Sequence, residues 1–235
     1  MTTSAKSTTK PRTQPSASRK IAPPPPKTYH HGNLRESLLL AAEATLAERG
    51  LHGTTLRDVA KVAGVSHAAP YHHFVSLNAL LAAVAERGFV ALGDAIAQAS
   101  SVPDTHERLL QIGQAYVRCA LAQPARFRLM FAPQLAQAQS YPALQAASHR
   151  AFGLLLAAAC AHDGANGPEL ALCGWSLSHG LSNLLIDGAF NQIPIAIEDT
   201  DVLVRQLTLR ALGPLSPTTQ PHTPKRTNKK PRKVP

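Results

Sequence analysis

A chain of 235 residues can bury one or two cores, and no apolar run in it approaches the roughly 18 residues that a membrane-spanning helix needs. Its 24 Lys and Arg against 14 Asp and Glu give a formal charge of +10, but residues 1–28 and 214–235 each hold six bases and no acid, which leaves residues 29–213 slightly acidic. The basicity belongs to the ends, where it suits a polyanion, and a cationic folded body is excluded.

Residues 1–28 are rich in Ser, Thr, Pro and Lys, with the run Pro23–Pro26 and no apolar core of a secretory leader. They read as a disordered basic tail, and residues 213–235, opened by Gly213-Pro214, read as a second. Between the tails the chain is Ala- and Leu-rich with helical periodicity and no convincing alternation at period two, which predicts an all-α body. Leu34, Leu38, Ala41, Ala42 and Leu46 predict a first helix from Asn33 to Arg49, closed by Gly50. Thr54 or Thr55 can cap a second over 56–63, with Asp58 in its first turn. Gly64 ends it, and Ser66 can cap a third short helix through His72. Ser76 can cap a fourth, with Leu77, Leu80, Leu81, Val84, Leu92 and Ile96 on its buried side. Further helices are predicted over 104–123 (broken by Pro124), 125–131, 141–162, 168–190 and 200–212, nine in all. Cys119, Cys160 and Cys173 are odd in number, far apart and free of a C-x-x-C pair. That argues against a disulfide framework or a thiolate zinc site, fits a reducing cytoplasm, and makes each a buried small apolar residue by expectation.

Residues 54–74, TTLRDVAKVAGVSHAAPYHHF, carry the most specific pattern. Two short helices flank a tight corner at Ala63-Gly64-Val65, with Val59, Ala60 and Val65 small enough for a close crossing. That is a helix-turn-helix. Its second segment offers short or hydrogen-bonding side chains, the character needed to approach base edges in a major groove.

Residues 29–89 closely resemble the DNA-binding domain of TetR family transcriptional regulators. The likeness is carried by Tyr29-His30-His31-Gly32-Asn33-Leu34-Arg35, Gly50, Thr55-Leu56-Arg57-Asp58-Val59-Ala60, Ala63-Gly64-Val65-Ser66, Tyr71-His72-His73-Phe74 and Leu80-Leu81. A looser resemblance, Phe127-Arg128-Leu129-Met130-Phe131 and Trp175-Ser176-Leu177-Ser178-His179-Gly180-Leu181, is to the effector domain of the subgroup named for its Trp-His-Gly signature. The resemblance implies a cytoplasmic homodimer on a palindromic double-stranded DNA operator. It divides the chain into a DNA-binding domain over 29–75 and an effector-binding and dimerisation domain over 76–212. It implies phosphate contacts from Thr55, Tyr71 and His73, base contacts from Ser66, His67, Ala68 and His72, and a core role for Phe74. The family's usual Lys at the start of the fourth helix is Leu77 here, one backbone charge fewer.

Trp175, His179 and Asn183 lie at i, i+4 and i+8, a polar and aromatic stripe able to line a small-molecule cavity. Tyr116, Phe127, Phe131 and Phe152 can supply its apolar walls, or equally a plain helical core together with Met130. Gly174 and Gly180 fit close helix approach in a four-helix seam between subunits. No metal site is expected: His30-His31 and His72-His73 are adjacent and point about 100° apart on a helix, and His106-Glu107 lacks a second His. No cofactor motif or catalytic constellation is present, so the chain reads as no enzyme. The expected function is a ligand-responsive repressor released from its operator by a small-molecule effector. An activator or co-repressor-dependent regulator, or a helical carrier or enzyme without specific DNA binding, are the alternatives.

Overall fold

Eight α-helices and three single 3-10 turns account for the regular structure, with no strand among the described residues. This computed structural model describes Met1 and residues 34–135, 141–194 and 197–212. Both tails and the Tyr29–Asn33 part of the family likeness lie outside them.

Helix α1 (Leu34–Arg49) buries Leu38, Leu39, Ala42 and Leu46 and stops at Gly50, whose φ of +67° is the left-handed conformation that glycine adopts without strain. Helix α2 (Leu56–Ala63) is capped by Thr55, which accepts the Asp58 N–H, and closed by Gly64 at φ +69°. Val59 and Ala60 are fully buried, as the close crossing requires.

The predicted third helix is corrected. Only Ala69–His72 is helical, and it is a 3-10 turn. Pro70 has no N–H to give, and Ala69 and Tyr71 bond back only three residues, to Ser66 and Ala68. The segment therefore winds more tightly than an α-helix and unrolls into the extended Ser76. That residue accepts the Ala79 N–H and starts α3 (Leu77–Ala99).

Helix α4 (Thr105–Ala122), capped by Asp104, is the centre of the larger part. It packs against α3 and α6 (Pro142–His162) on one side and against α7 (Gly167–Ile186) and α8 (Thr200–Leu212) on the other. The short α5 (Pro124–Met130) follows without a linker because Pro124 suits a first helical turn, and it lies against α3. Helix α8 is tied to α4 by a two-pronged Arg205–Glu107 pair (2.8 Å each) and by Arg118 on Asp201.

The predicted helix over 168–190 also needs correction. It ends at Ile186, since Gly188 takes φ +66° and Ala189–Gln192 forms a separate 3-10 turn. None of the cysteines is a fully buried apolar residue: Cys119 and Cys160 are half-buried, and Cys173 is exposed. Leu172, next to Cys173, stands on a face of α7 that none of the described residues covers.

Candidate nucleic-acid interface and ligand cavity

Every residue singled out for DNA is solvent-facing. Thr55, Ser66, His67, Ala68, Tyr71, His72 and His73 are all exposed, while Pro70 and Phe74 among them are buried. Tyr71 is 62% exposed and Phe74 only 5%, so the two aromatics of this stretch divide cleanly between surface and core. The Arg35 guanidinium lies 5.5 Å above the Phe74 ring and ties the start of α1 to the end of the exposed 66–73 segment. The buried pair holds the segment down; the others project.

Thr55 is already engaged. Its hydroxyl donates to the Asp58 carboxylate, and Arg49 approaches the same carboxylate at 2.9 Å. The Thr55 hydroxyl, then Arg49, hold the Asp58 carboxyl below its ordinary range. A phosphate contact from Thr55 would have to displace that bond. Helix α2 also exposes Arg57 and Lys61, two cations that the sequence reading did not assign. Leu77 is half-buried at the head of α3.

The second site is a cavity of about 290 Å³ between α3, α4, α6 and α7. Of the residues expected there, Tyr116, Phe131, Phe152 and Trp175 line it. Phe127 sits behind the wall, 4% exposed, with its ring edge-on to Tyr116 at 5.9 Å and Phe131 at 5.3 Å. His179 also stands behind, 4.5 Å from the Phe131 ring. Asn183, a turn further along α7, is not among the lining residues and donates instead to the His179 carbonyl at 3.0 Å. Phe89, Leu92 and Ile96 of α3 and Leu155 of α6 were missed as walls. Their spacing marks a buried face, and no sequence signal separates a cavity wall from a core.

The polar atoms around this cavity satisfy one another. The Trp175 indole N–H donates to the Tyr116 hydroxyl oxygen at 3.2 Å, and the same hydroxyl is hydrogen-bonded to Nδ1 of His179 at 3.0 Å. Burial pushes the Tyr116 hydroxyl above its usual range and His179 below its own, which favours the neutral form of each. Ser148 donates to the Gln145 carbonyl. His149 is exposed and marks the mouth, and no Asp, Glu, Lys or Arg lines the cavity. Such a chamber can desolvate hydrocarbon and offers nothing to neutralise a buried charge.

Residues 38–84 match the family model described as bacterial regulatory proteins, tetR family, and residues 109–210 match the one described as tetracyclin repressor-like, C-terminal domain. The chain belongs to the TetR family. Together the two matches cover more than half of it, and Trp175, His179 and Gly180 fall inside the second. TetR proteins are DNA-binding transcriptional regulators and not enzymes. A solved structure from Rhodococcus sp. RHA1, described as a protein of unknown function, is 32% identical with a TM-score of 0.63, covering 77% of this chain and 95% of that one. The fatty acid degradation regulator FadR of Bacillus halodurans shares the TetR fold at 18% identity and a TM-score of 0.58, over 76% of this chain and 95% of its own. Among curated relatives, the HTH-type transcriptional repressor KstR2 of Rhodococcus jostii is 41% identical over 71 residues, 30% of this chain. KstR2 of Mycobacterium tuberculosis is 52% identical over 42 residues, 18% of this chain. The aligned parts span only 34% and 21% of those two relatives.

Proposed function

We propose that the chain is a homodimeric repressor that acts in the cytoplasm on a palindromic operator and is released by an apolar effector. The carrying observation is the exposed Ser66–His73 edge, clamped from beneath by Pro70 and Phe74. An edge so anchored can present Ser66, His67, Ala68 and His72 to base edges while Tyr71 and His73 hold the backbone. Residues 29–75 then form the reading domain and 76–212 the effector domain, with α3 running out of one into the other.

Dimerisation is supported by the outer faces of α7 and α8, where Leu172, Leu184, Val202 and Leu209 are exposed. Gly180, on the same face as Leu172 and Leu184, has open space before it, so a second subunit can approach there, whereas Gly174 lines an interior void. Two recognition edges paired in this way would meet half-sites about one helical turn apart.

The cavity supports the release step. Its wall includes Phe131, backed by Phe127, and the residue before Phe127 is Arg126, which reaches Glu43 of α1 at 3.4 Å. A ligand that displaces these rings moves α5, and α5 pulls on α1 beneath the reading edge. The ligand acts only through a difference in affinity between the DNA-competent and released arrangements.

The test is a gel shift with the protein's own upstream DNA at several salt concentrations, using full-length chain and chain lacking residues 1–28 and 214–235. Sequence-selective retention that survives loss of the tails is expected. Equal binding to every duplex, abolished with the tails, would mean that the edge is not read into DNA.

A further inference from the structure

Behind the first cavity lies a second, of about 30 Å³, and the two share Tyr116, Leu155 and Trp175 as a common wall. The smaller void continues along α4 from Tyr116 past Gly113 to Leu109, roughly 10 Å of helix, and is closed by Thr208 and Leu212 of α8. We infer that Trp175 is a movable partition and that the effector is an elongated, uncharged hydrocarbon-rich molecule that turns the indole aside and threads both chambers as far as α8. This rests on the effector reading of the first cavity.

Four observations carry it. The partition makes a single hydrogen bond, Trp175 N–H to Tyr116 at 3.2 Å, and otherwise rests on ring contacts with Phe131, Phe152 and His179 that a hydrocarbon can replace, while Tyr116 keeps its bond to His179 when the indole leaves. Trp175 is only half-buried and follows Gly174, which faces open volume, so the ring has somewhere to turn. The second void is large enough for about one or two water-sized groups yet walled largely by hydrocarbon, and close-packed interiors do not leave such space without loss of contact. Finally, the first chamber runs along α6 from the Ser148–His149 mouth to Leu155, roughly 10 Å, and ends at the partition. A polar end group fits the mouth, and the hydrocarbon points inward.

The consequence is a direct route to the subunit seam. Any group that enters the second chamber presses on α8, which is held to α4 by the buried Val204 and Thr208, by Gln114 on the Asp201 carbonyl and by the Arg118–Asp201 and Arg205–Glu107 ion pairs.

The probes are the straight-chain primary alcohols from hexanol to hexadecanol, measured by calorimetry on the full-length dimer, with emission of Trp175, the chain's single tryptophan, as a second readout. Affinity should climb roughly fourfold per methylene while apolar space remains. The variant Gly174→Leu fills the second chamber from the side. It should level off one or two carbons earlier than the wild type and lose roughly four- to sixteenfold in affinity for the longest members, with the shortest unchanged. Wild-type emission should shift only for alcohols beyond that plateau. Trp175→Phe, which keeps a ring but removes the hydrogen bond, should bind long alcohols severalfold tighter and short ones equally. Identical plateaus for wild type and Gly174→Leu, or an equal change at every length for Trp175→Phe, would overturn the two-chamber reading and leave the single-cavity reading standing. No binding at any length would overturn both.

Discussion

Glu43 on α1 lies 3.4 Å from Arg126 on α5, and the same carboxylate is 3.9 Å from Arg87 on α3. Both partners of the Glu43–Arg126 pair are about four-fifths buried, at 18% and 22% side-chain exposure. The pair joins the helix beneath the reading edge to the helix behind the cavity. Glu43→Gln should cost about 1 kcal/mol of stability, seen as a lower urea midpoint with an unchanged slope. Operator binding should persist while the drop in affinity on adding dodecanol shrinks. An undiminished response would remove α5 from the path.

Base contact and backbone contact separate by mutation. Tyr71→Phe should weaken all DNA sites alike by about 1 kcal/mol, roughly fivefold, as loss of one hydrogen bond does. His67→Ala and His72→Ala should instead alter preference, losing about 1–3 kcal/mol of discrimination at particular base pairs. Gel shifts on the operator and on singly substituted operators read both. Uniform loss from all three variants would contradict the division.

Gly64 tests the corner. At φ +69° an L side chain is strained although nothing lies within 4 Å of its Cβ, so Gly64→Ala should cost about 1–2 kcal/mol through the backbone alone. The thermal midpoint should fall, and operator affinity with it, since Gly64 sets the exit angle toward Ser66. An unchanged midpoint would show the corner relaxing into another conformation.

Two pH responses follow from the site. Burial lowers the affinity of His179 for a proton. The unfolded chain therefore binds this proton more readily, and the contribution of His179 to stability is full above its ordinary value of 6.5 and declines as pH falls below it. Urea midpoints at pH 7.5 and 5.5 should differ less for His179→Gln than for the wild type. Asp58 responds lower on the scale. Thr55 first, and Arg49 after it, keep the carboxylate ionised, so its support of α2 is present above 3.8 and is lost as pH drops through its lowered folded value. Circular dichroism during acid titration should show Thr55→Val losing helix at higher pH than the wild type.

The helices with clear punctuation could be read from the sequence almost to the residue. Thr55 and Gly64 bound α2, Ser76 opens α3, and the range 200–212 is that of α8. The third helix of the reading motif was misjudged because Pro70 counts as permissible near a helix start, and only the fold shows that there is no further turn for it to start. The end of α7 was misjudged because Gly188 resembles Gly174 and Gly180 in sequence, while it alone of the three takes positive φ. In the cavity Tyr116, Phe131, Phe152 and Trp175 lie where they were expected, while Phe127 stands behind the wall and Phe89 was not read as part of it. The aliphatic wall from α3 was not legible, since Leu92 and Ile96 have the same period whether they meet a neighbour or a void.

What the residues determined by themselves is local: where caps and glycines cut the chain, which stripe of each helix is apolar, and that Ser66–His73 holds donors rather than grease. Those properties depend on neighbours within about one helical turn, and a linear text records them. Depth was decided only by the tertiary arrangement. It sent Tyr71 outward and Phe74 inward, set Trp175 at the cavity while Asn183 two turns on stayed clear, and brought Tyr116 to His179 across 63 positions of sequence. Depth depends on which helices arrive from elsewhere in the chain, and that is set by packing among α3, α4, α6 and α7 together.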